Sequence, residues 1–295
     1  MSIRAGGRCR DYLRGHCFEA ALCFNPAMEV VAHALPVTLQ QARKLRRLSQ
    51  LELALRLGIS QRHVSFVETG RARPSRPLLL VWLAALDAPL VVRNAALLQA
   101  GYAPAYGAAT LEDPALRQAH DALLHLLHSH DPMPALVIDA HWNLLLANRG
   151  ARWLAATLMP WTAAAPAGTP LNLFDLLVHP EGFTKSMLNL DETGPAMLAH
   201  LREAAAAQPR LRSRVDMFAA LLRDRIGTLA LNTGQPRPMA PVMTTRFASP
   251  RGELAFFSMF TTFGTPQDIT LASLQVEHMF AADEATRAIL FAEVV

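Results

Sequence analysis

Residues 49–74 read SQLELALRLGISQRHVSFVETGRARP, and this stretch decides the fold of the first third of the chain. Ser49 and Glu52 stand at capping-box spacing, which opens a helix by satisfying backbone N–H groups that the first turn leaves unpaired. Leu53, Ala54 and Leu57 follow on one face, and Ala54 is small enough to let a neighbouring helix approach. Gly58 supplies a left-handed stop, and Ser60 caps a second helix. The spacing predicts a helix, a tight turn and a helix.

Working outward, Thr38 and Gln41 have the same capping-box spacing, and Leu39, Ala42, Leu45 and Leu48 keep a three- or four-residue apolar rhythm. A helix is expected over Thr38–Leu48. Two core-packing helices are expected near Leu78–Leu86 and Val91–Ala100, with Gly101 ending a five-helix unit. On the helix after Ser60, Val64 and Val67 face one way, while Gln61, Arg62, Ser65, Phe66 and Thr69 face the other. Gln and Arg form bidentate bonds to adenine and guanine edges, and an apolar side chain meets the thymine methyl. Residues 37–76 hold nine Lys/Arg against Glu52 and Glu68 alone, so nearly all the excess positive charge of the chain flanks this helix. A basic segment of this kind is the footprint of phosphate contact.

The segment resembles the helix-turn-helix of the phage-repressor and xenobiotic-response-element type through Ser49-Gln50, Ala54, Gly58, Ser60-Gln61 and the run Glu68-x-Gly70-x-x-Arg73-Pro74. The resemblance covers about residues 37–100. It implies a double-stranded DNA operator as partner, Gln50 on a phosphate, and Gln61, Arg62 and Phe66 in base-facing positions. Phe66 stands where the family usually has a polar residue. Ser65, Arg71 and Arg73 complete the expected interface. Glu68 is expected to pair with Arg43, and Gly70 and Pro74 to shape the turn into the next helix. His63 either flanks the core or touches a phosphate.

A chain of 295 residues with 52% hydrophobic and 18% charged residues is too apolar to be disordered and long enough for two domains. Its best apolar run, Pro77 to Val92, is broken by Asp87 and is shorter than the roughly 20 residues a bilayer needs, so no membrane span is expected. Cys9, Cys17 and Cys23 all precede residue 28 without a CxxC pair, which leaves the body without disulfides and disfavours zinc. A cytoplasmic protein is expected. The organisation read from these signals is an N-terminal extension over 1–36, poorly ordered and without a signal peptide, a DNA-binding domain over 37–106, and a second domain over 107–295.

Tyr102–Thr110 reads as a linker, and a helix from Asp113 to about His128 follows. It carries His120, His125 and His128, with His130 just after, but no carboxylate or thiol at fixed spacing, so no metal is expected. Ala135–Ala147 reads as a β-hairpin turning at Asp139-Ala140-His141, and Asn148 caps a helix starting at Arg149. Helices are expected between Leu171 and Ile226, then strands over Val242–Ser249, Glu253–Gly264 and Ile269–Phe280. In the middle strand Leu254, Phe256, Ser258, Phe260 and Thr262 share one face, and Phe257, Met259 and Phe263 the other. An antiparallel sheet that is apolar on both faces must be covered twice.

This region resembles the MmyB-like transcription regulators. The carrying residues are Asp139-x-x-Trp142, Ala147-Asn148-Arg149, Asn172-Leu173 and Leu177-x-His179-Pro180-x-Gly182. Ser249-Pro250-x-Gly252-Glu253-Leu254, Phe256-Phe257-Ser258, the run Phe260 to Asp268 and Ala282-Asp283-Glu284-Ala285-Thr286 extend it over about residues 110–290. The resemblance implies an α+β protein: a five-helix repressor-like domain followed by a PAS-like antiparallel sheet domain enclosing an apolar pocket for a fatty-acid-like or other lipophilic ligand. The expected lining is Trp142, Leu144, Trp153, Phe174, Phe256 and Phe260, with core packing as the alternative for each.

A ligand-responsive regulator is expected to act as a homodimer on a palindromic operator. The second reading is a C-terminal domain that only dimerises; the third is an enzyme using the apolar pocket. No catalytic set supports the third: Ser258 lacks a GxSxG turn, His179 sits in an HPEG turn, and no glycine loop for phosphate occurs. No cofactor is expected.

Overall fold

The protein is described here by a computed structural model covering residues 34–164, 169–232 and 242–294. The expected N-terminal extension, up to residue 33, and its three cysteines lie outside the described residues. The chain divides into two compact units, one ending at Tyr106 and the other beginning at Gly107.

The first unit is helical: α1 Leu35–Leu45, α2 Gln50–Leu57, α3 Gln61–Glu68, α4 Arg76–Ala85 and α5 Leu90–Gln99. Helix α2 opens on the predicted capping box, with Ser49 Oγ accepting from the Glu52 N–H and the Glu52 carboxylate accepting from the Ser49 N–H at 2.7 Å. That second bond holds the Glu52 carboxyl below its ordinary value. Gly58 ends α2 at φ 65°, a conformation that costs a residue with a Cβ. The expected cap at Thr38 is not formed. Helix α1 starts three residues earlier, behind Pro36, whose fixed φ and missing N–H suit the first turn, and Thr38 is buried inside the helix. Leu39, Leu53, Val64, Leu79, Trp82, Leu83 and Leu97 interlock in the core, each worth about 1.5–3 kcal/mol of transfer free energy.

The second unit runs α6 Arg117–His130, β1 Ala135–Ile138, β2 Leu144–Ala147, α7 Arg149–Leu158, α8 Leu173–Val178, α9 Phe183–Ser186, α10 Leu190–Ala207 and α11 Arg212–Asn232. It closes with β3 Thr245–Ser249, β4 Gly252–Thr261, α12 Ile269–Ser273, β5 Gln275–Ala281 and α13 Glu284–Glu293. The strands form one antiparallel sheet in the order β2-β1-β5-β4-β3. The α+β expectation holds: a helical unit precedes an antiparallel sheet dressed with helices.

All three of the expected closing strands are corrected at an end. Residues 269–273 are helical, because the Asp268 carboxylate caps the turn by accepting the Thr270 N–H at 2.8 Å, and only then does β5 begin. The strand predicted from Val242 starts at Thr245, where pairing with Phe256 of β4 begins. β4 ends at Thr261, opposite Val276, before the predicted Gly264.

Both faces of the sheet are covered. Ile138, Phe247, Leu254 and Phe256 pack against α7, α8, α10, α11 and α13 in the larger core. On the other face Ala135, Val137 and Val276 meet Leu123 and Leu127 of α6. Asn148 joins three elements. Its Oδ1 accepts from the N–H groups of Ala135 and Ala151, and its Nδ2 donates to the carbonyls of Leu127 and Met133. Gly182, in the HPEG turn, has no room for a side chain: a Cβ would lie 1.9 Å from the Leu176 carbonyl oxygen.

Candidate nucleic-acid interface and ligand site

On α3 the periodicity sorts burial as read from sequence. Val64, Val67 and Glu68 are buried, Gln61 and Arg62 are exposed, and Ser65 and Phe66 are half-buried. The Arg62 guanidinium lies over the Phe66 ring, 5.1 Å from its centroid. One helical turn apart, the ring gives the cation a platform that narrows its rotamers before any base is met. Thr69 donates to the Ser65 carbonyl at 2.8 Å and closes the helix end.

Beneath this face Glu68 forms the expected pair with Arg43 of α1. Arg43 Nε donates to Oε1 at 2.7 Å and Nη2 to Oε2 at 2.8 Å, while Nη1 reaches the Leu48 carbonyl at 2.6 Å. The pair is buried, and the hydrogen bond to Glu68, ahead of the opposing burial, raises the Arg43 pKa. Gln50 Nε2 donates to the same Glu68 Oε2 at 2.9 Å. A carboxylate on the recognition helix therefore holds the expected phosphate-contacting Gln50, a link that sequence spacing did not signal.

The other expected contacts divide. Arg71 is exposed. Arg73 is tied into its own unit: its guanidinium donates to the Ala100 carbonyl and lies 5.2 Å from the Tyr102 ring centroid, while Tyr102 Oη donates to the Pro74 carbonyl at 3.0 Å. Arg46 likewise donates to the carbonyls of Leu86 and Asp87, at 2.7 and 2.9 Å. Arg43, Arg46 and Arg73 thus bind protein oxygen atoms in this structure, which the charge count alone could not reveal.

In the second unit the hairpin turn is built on Asp139, whose carboxylate accepts from the backbone N–H groups of His141 and Asn143 and from Asn143 Nδ2. Asn172 Nδ2 donates to the His141 carbonyl and Asn143 Oδ1, anchoring the turn to the start of α8. Trp142, at φ 66°, is thereby turned onto Phe174, with ring centroids 5.0 Å apart.

Of the six expected lining residues, Phe174 and Phe256 have no exposed surface and Trp142 is buried. Leu144 and Trp153 are half-buried, and Phe260 is 41% exposed. His200 of α10, which the sequence reading missed, bridges the aromatic group: its ring stacks on Phe260 at 5.7 Å and lies 6.3 Å from Trp142. Cross-strand from Phe260, on the same face, stands Glu277 of β5, whose Oε1 accepts from Ser258 Oγ at 2.7 Å. Burial raises the Glu277 pKa, against the lowering effect of the Ser258 bond. On the opposite sheet face an apolar cleft of about 130 Å³ opens between α6 and β4, lined by Leu123, Leu126, Thr261, Phe263, Leu274 and Val276.

His130 and His278 meet edge-on at 5.0 Å, with Thr261 Oγ1 3.1 Å from His278 Nε2. Burial first, and His130 second, lower the His278 pKa. His179, in the HPEG turn, stacks on Trp161 at 4.1 Å and its Nδ1 accepts from the Glu181 N–H, which is structural duty. Among the described residues no group of three or more His, Cys, Asp or Glu is placed to hold a metal ion. No described helix is long and apolar enough to cross a membrane.

Comparison with known protein families matches residues 119–292, more than half of the chain, to the MmyB-like transcription regulator ligand binding domain, and residues 39–92 to a helix-turn-helix family. A comparison with curated proteins gives no match.

Proposed function

The chain belongs to the MmyB-like transcription regulators, and on that premise we propose that it binds a palindromic operator as a cytoplasmic homodimer and releases or reorients on it when its second unit takes up a lipophilic ligand with a fatty-acid-like chain. The observation that carries the DNA half is α3, whose outer face presents Gln61 and the aromatic-backed Arg62 in the first turns, where a recognition helix meets base edges. Ser65, Phe66 and Arg71 extend that surface, with Gln50 on a flanking phosphate. Arg73, exposed but tied through one N–H to the Ala100 carbonyl, has further donors for a phosphate.

The ligand half rests on the aromatic group of Trp142, His200 and Phe260, in which the exposed His200 and Phe260 lead from solvent to the buried Trp142. A ligand can shift the DNA-bound state only through different affinities for its two arrangements. Mass spectrometry of small molecules that survive purification, followed by operator titrations with and without them, tests both halves. Operator affinity that ignores every recovered lipophile removes the sensing half.

A second reading, a domain that only dimerises, draws support from Phe174 and Phe256, two expected lining residues that the core consumes completely. Co-purification of a stoichiometric lipophile distinguishes it from the first.

A further inference from the structure

The run Phe260 to Asp268 leaves the sheet after Thr261 and ends on the residue that caps α12. Asp268 uses both carboxylate oxygens. Its Oδ1 accepts from the Thr270 N–H at 2.8 Å and opens the helix, while Oδ2 accepts from the Ala109 N–H at 3.3 Å, 159 residues away in sequence. Two more bonds tie the same stretch. The Ile269 N–H donates to the Gly107 carbonyl at 2.8 Å, and Thr270 Oγ1 donates to the Ala109 carbonyl at 2.6 Å. Gly107 and Asp268 thereby pair as a short parallel bridge. Two residues beyond Ala109, Leu111 is buried with Leu274 and Val276 in the smaller core.

Just before Gly107 the chain is held by the first unit. The buried Asn94 of α5 accepts from the N–H groups of Ala105 and Tyr106 through Oδ1, and its Nδ2 donates to the Tyr106 carbonyl at 2.8 Å. Arg93 reaches the Tyr106 hydroxyl at 3.3 Å. Residues 105–106 are thus fastened within the first unit and 107–109 within the second, and the chain divides between them. The stretch expected as a linker has no slack here, because the two grips meet at consecutive residues. The second grip lies at the surface: Gly107 is exposed, and Ala109, Asp268 and Thr270 are half-buried. Bonds so placed exchange with water and add little to the stability of the fold, so what they fix is the path of the chain.

From this juxtaposition we infer that Asp268 is a positioning residue for DNA binding: with Thr270 it grips residues 107–109 and fixes where the second unit hands the chain to the first. The inference rests on the dimeric regulator reading given above and names the part that sets half-site spacing. With the second units paired, a gripped chain lets the two recognition helices reach half-sites at one separation. A slack chain reaches several separations, each at a lower effective concentration. Gly107 belongs to the device, since a Cβ there would lie 2.7 Å from Asp268 Oδ2 and push it off Ala109.

An operator selected from random duplexes by the full chain, then rebuilt with its half-sites moved apart by single base pairs, tests this by fluorescence anisotropy. The parent is expected to lose about tenfold or more in affinity as the spacing changes. Gly107→Ala is expected to flatten that loss to about threefold, while affinity for an isolated half-site stays within about twofold. Asp268→Asn keeps a cap oxygen but turns an amide toward the Ala109 N–H, and is expected to act in the same direction. Thr270→Ser keeps the hydroxyl and is expected to keep the parent profile. Hydrogen exchange at the Ala109 N–H, quickened about tenfold in the first two variants, reports the opened grip in a folded protein. Three results overturn the inference and leave a dimeric DNA-binding protein standing. They are exchange at the free-peptide rate in the parent, a spacing profile unchanged once the grip is open, and a loss that is equal at every spacing and at the half-site. A parent that selects no two-part operator removes the dimeric reading together with the inference.

Discussion

Helix α3 and strand β5 each carry an ionisable side chain, Arg62 and Glu277, and they hold it in opposite ways. Arg62 stands in water with an aromatic ring behind it. Glu277 is set into an apolar row with one hydroxyl as donor. The DNA face needs a cation that is oriented yet cheap to desolvate against a polyanion, and a guanidinium on a ring meets that need. The sheet leaves Glu277 with the Ser258 hydroxyl as donor among the described residues, and burial raises its pKa. One side chain is held out in water, the other is drawn toward the sheet.

The contrast is sharpened most strongly beneath α3. Glu68→Ala leaves Arg43 buried without its partner and is expected to cost the first unit about 3–5 kcal/mol. Urea unfolding followed by circular dichroism measures it. The double change Arg43→Met, Glu68→Leu is expected to recover most of the loss, and a Glu68→Ala protein as stable as the parent would show that the pair does not hold α3 in place. The second unit has its own keystone in Asn148, whose four bonds join β1, α6 and α7. Asn148→Ala removes a helix cap and strands buried carbonyls, with an expected cost of about 2–3 kcal/mol. Urea unfolding of the full chain measures it, and an Asn148→Ala protein as stable as the parent would show that these four bonds are not what joins the three elements.

On DNA, Arg62→Ala is expected to cost about 1–3 kcal/mol at the operator and to relax selectivity at one base position. Gln50→Ala is expected to weaken all sequences evenly. Equal losses on operator and random duplex for both changes would abolish the division between reading and anchoring. The smallest effect is the pH response of His278. Its folded imidazole resists protonation, so below the ordinary histidine value of about 6.5 the unfolded chain takes up the proton more readily. Stability contributed by this residue is therefore present at neutral pH and lost as the pH falls through that value. Thermal unfolding from pH 7.5 to 5.5 is expected to show the decline, and His278→Gln to flatten it.

Local signals were legible where the physics is local. The Ser49–Glu52 box, the Gly58 stop, the Ser60 and Asn148 caps and the inward Val64 and Val67 all follow from neighbours within one or two turns. Thr38 misled because two rules competed for one helix start and Pro36 won. Ile269 misled because an apolar run reads equally well as strand or helix until the Asp268 cap is seen to close. The Arg43–Glu68 pair, 25 residues apart, forms as expected. The ties of Arg46 and Arg73 to backbone carbonyls were not expected, since any carbonyl suits a guanidinium and sequence carries no mark of which one is near. His200 and Glu277 were missed for a related reason. Their partners Phe260 and Ser258 are distant in sequence: helix α10 packing on the sheet brings His200 to Phe260, and strand register brings Glu277 to Ser258.

That register has a consequence for how the protein is made. β5, among the last strands synthesised, is the central strand of the sheet, flanked by β1 and β4. The sheet cannot close until residues 275–281 have left the ribosome, whereas the helices up to Gln99 make their contacts within a short span of chain and fold early. For part of every round of translation the cell therefore holds a finished DNA-reading unit attached to an unfinished regulator. Interrupted synthesis, or proteolysis near Tyr106, is expected to release a reader that answers to no signal.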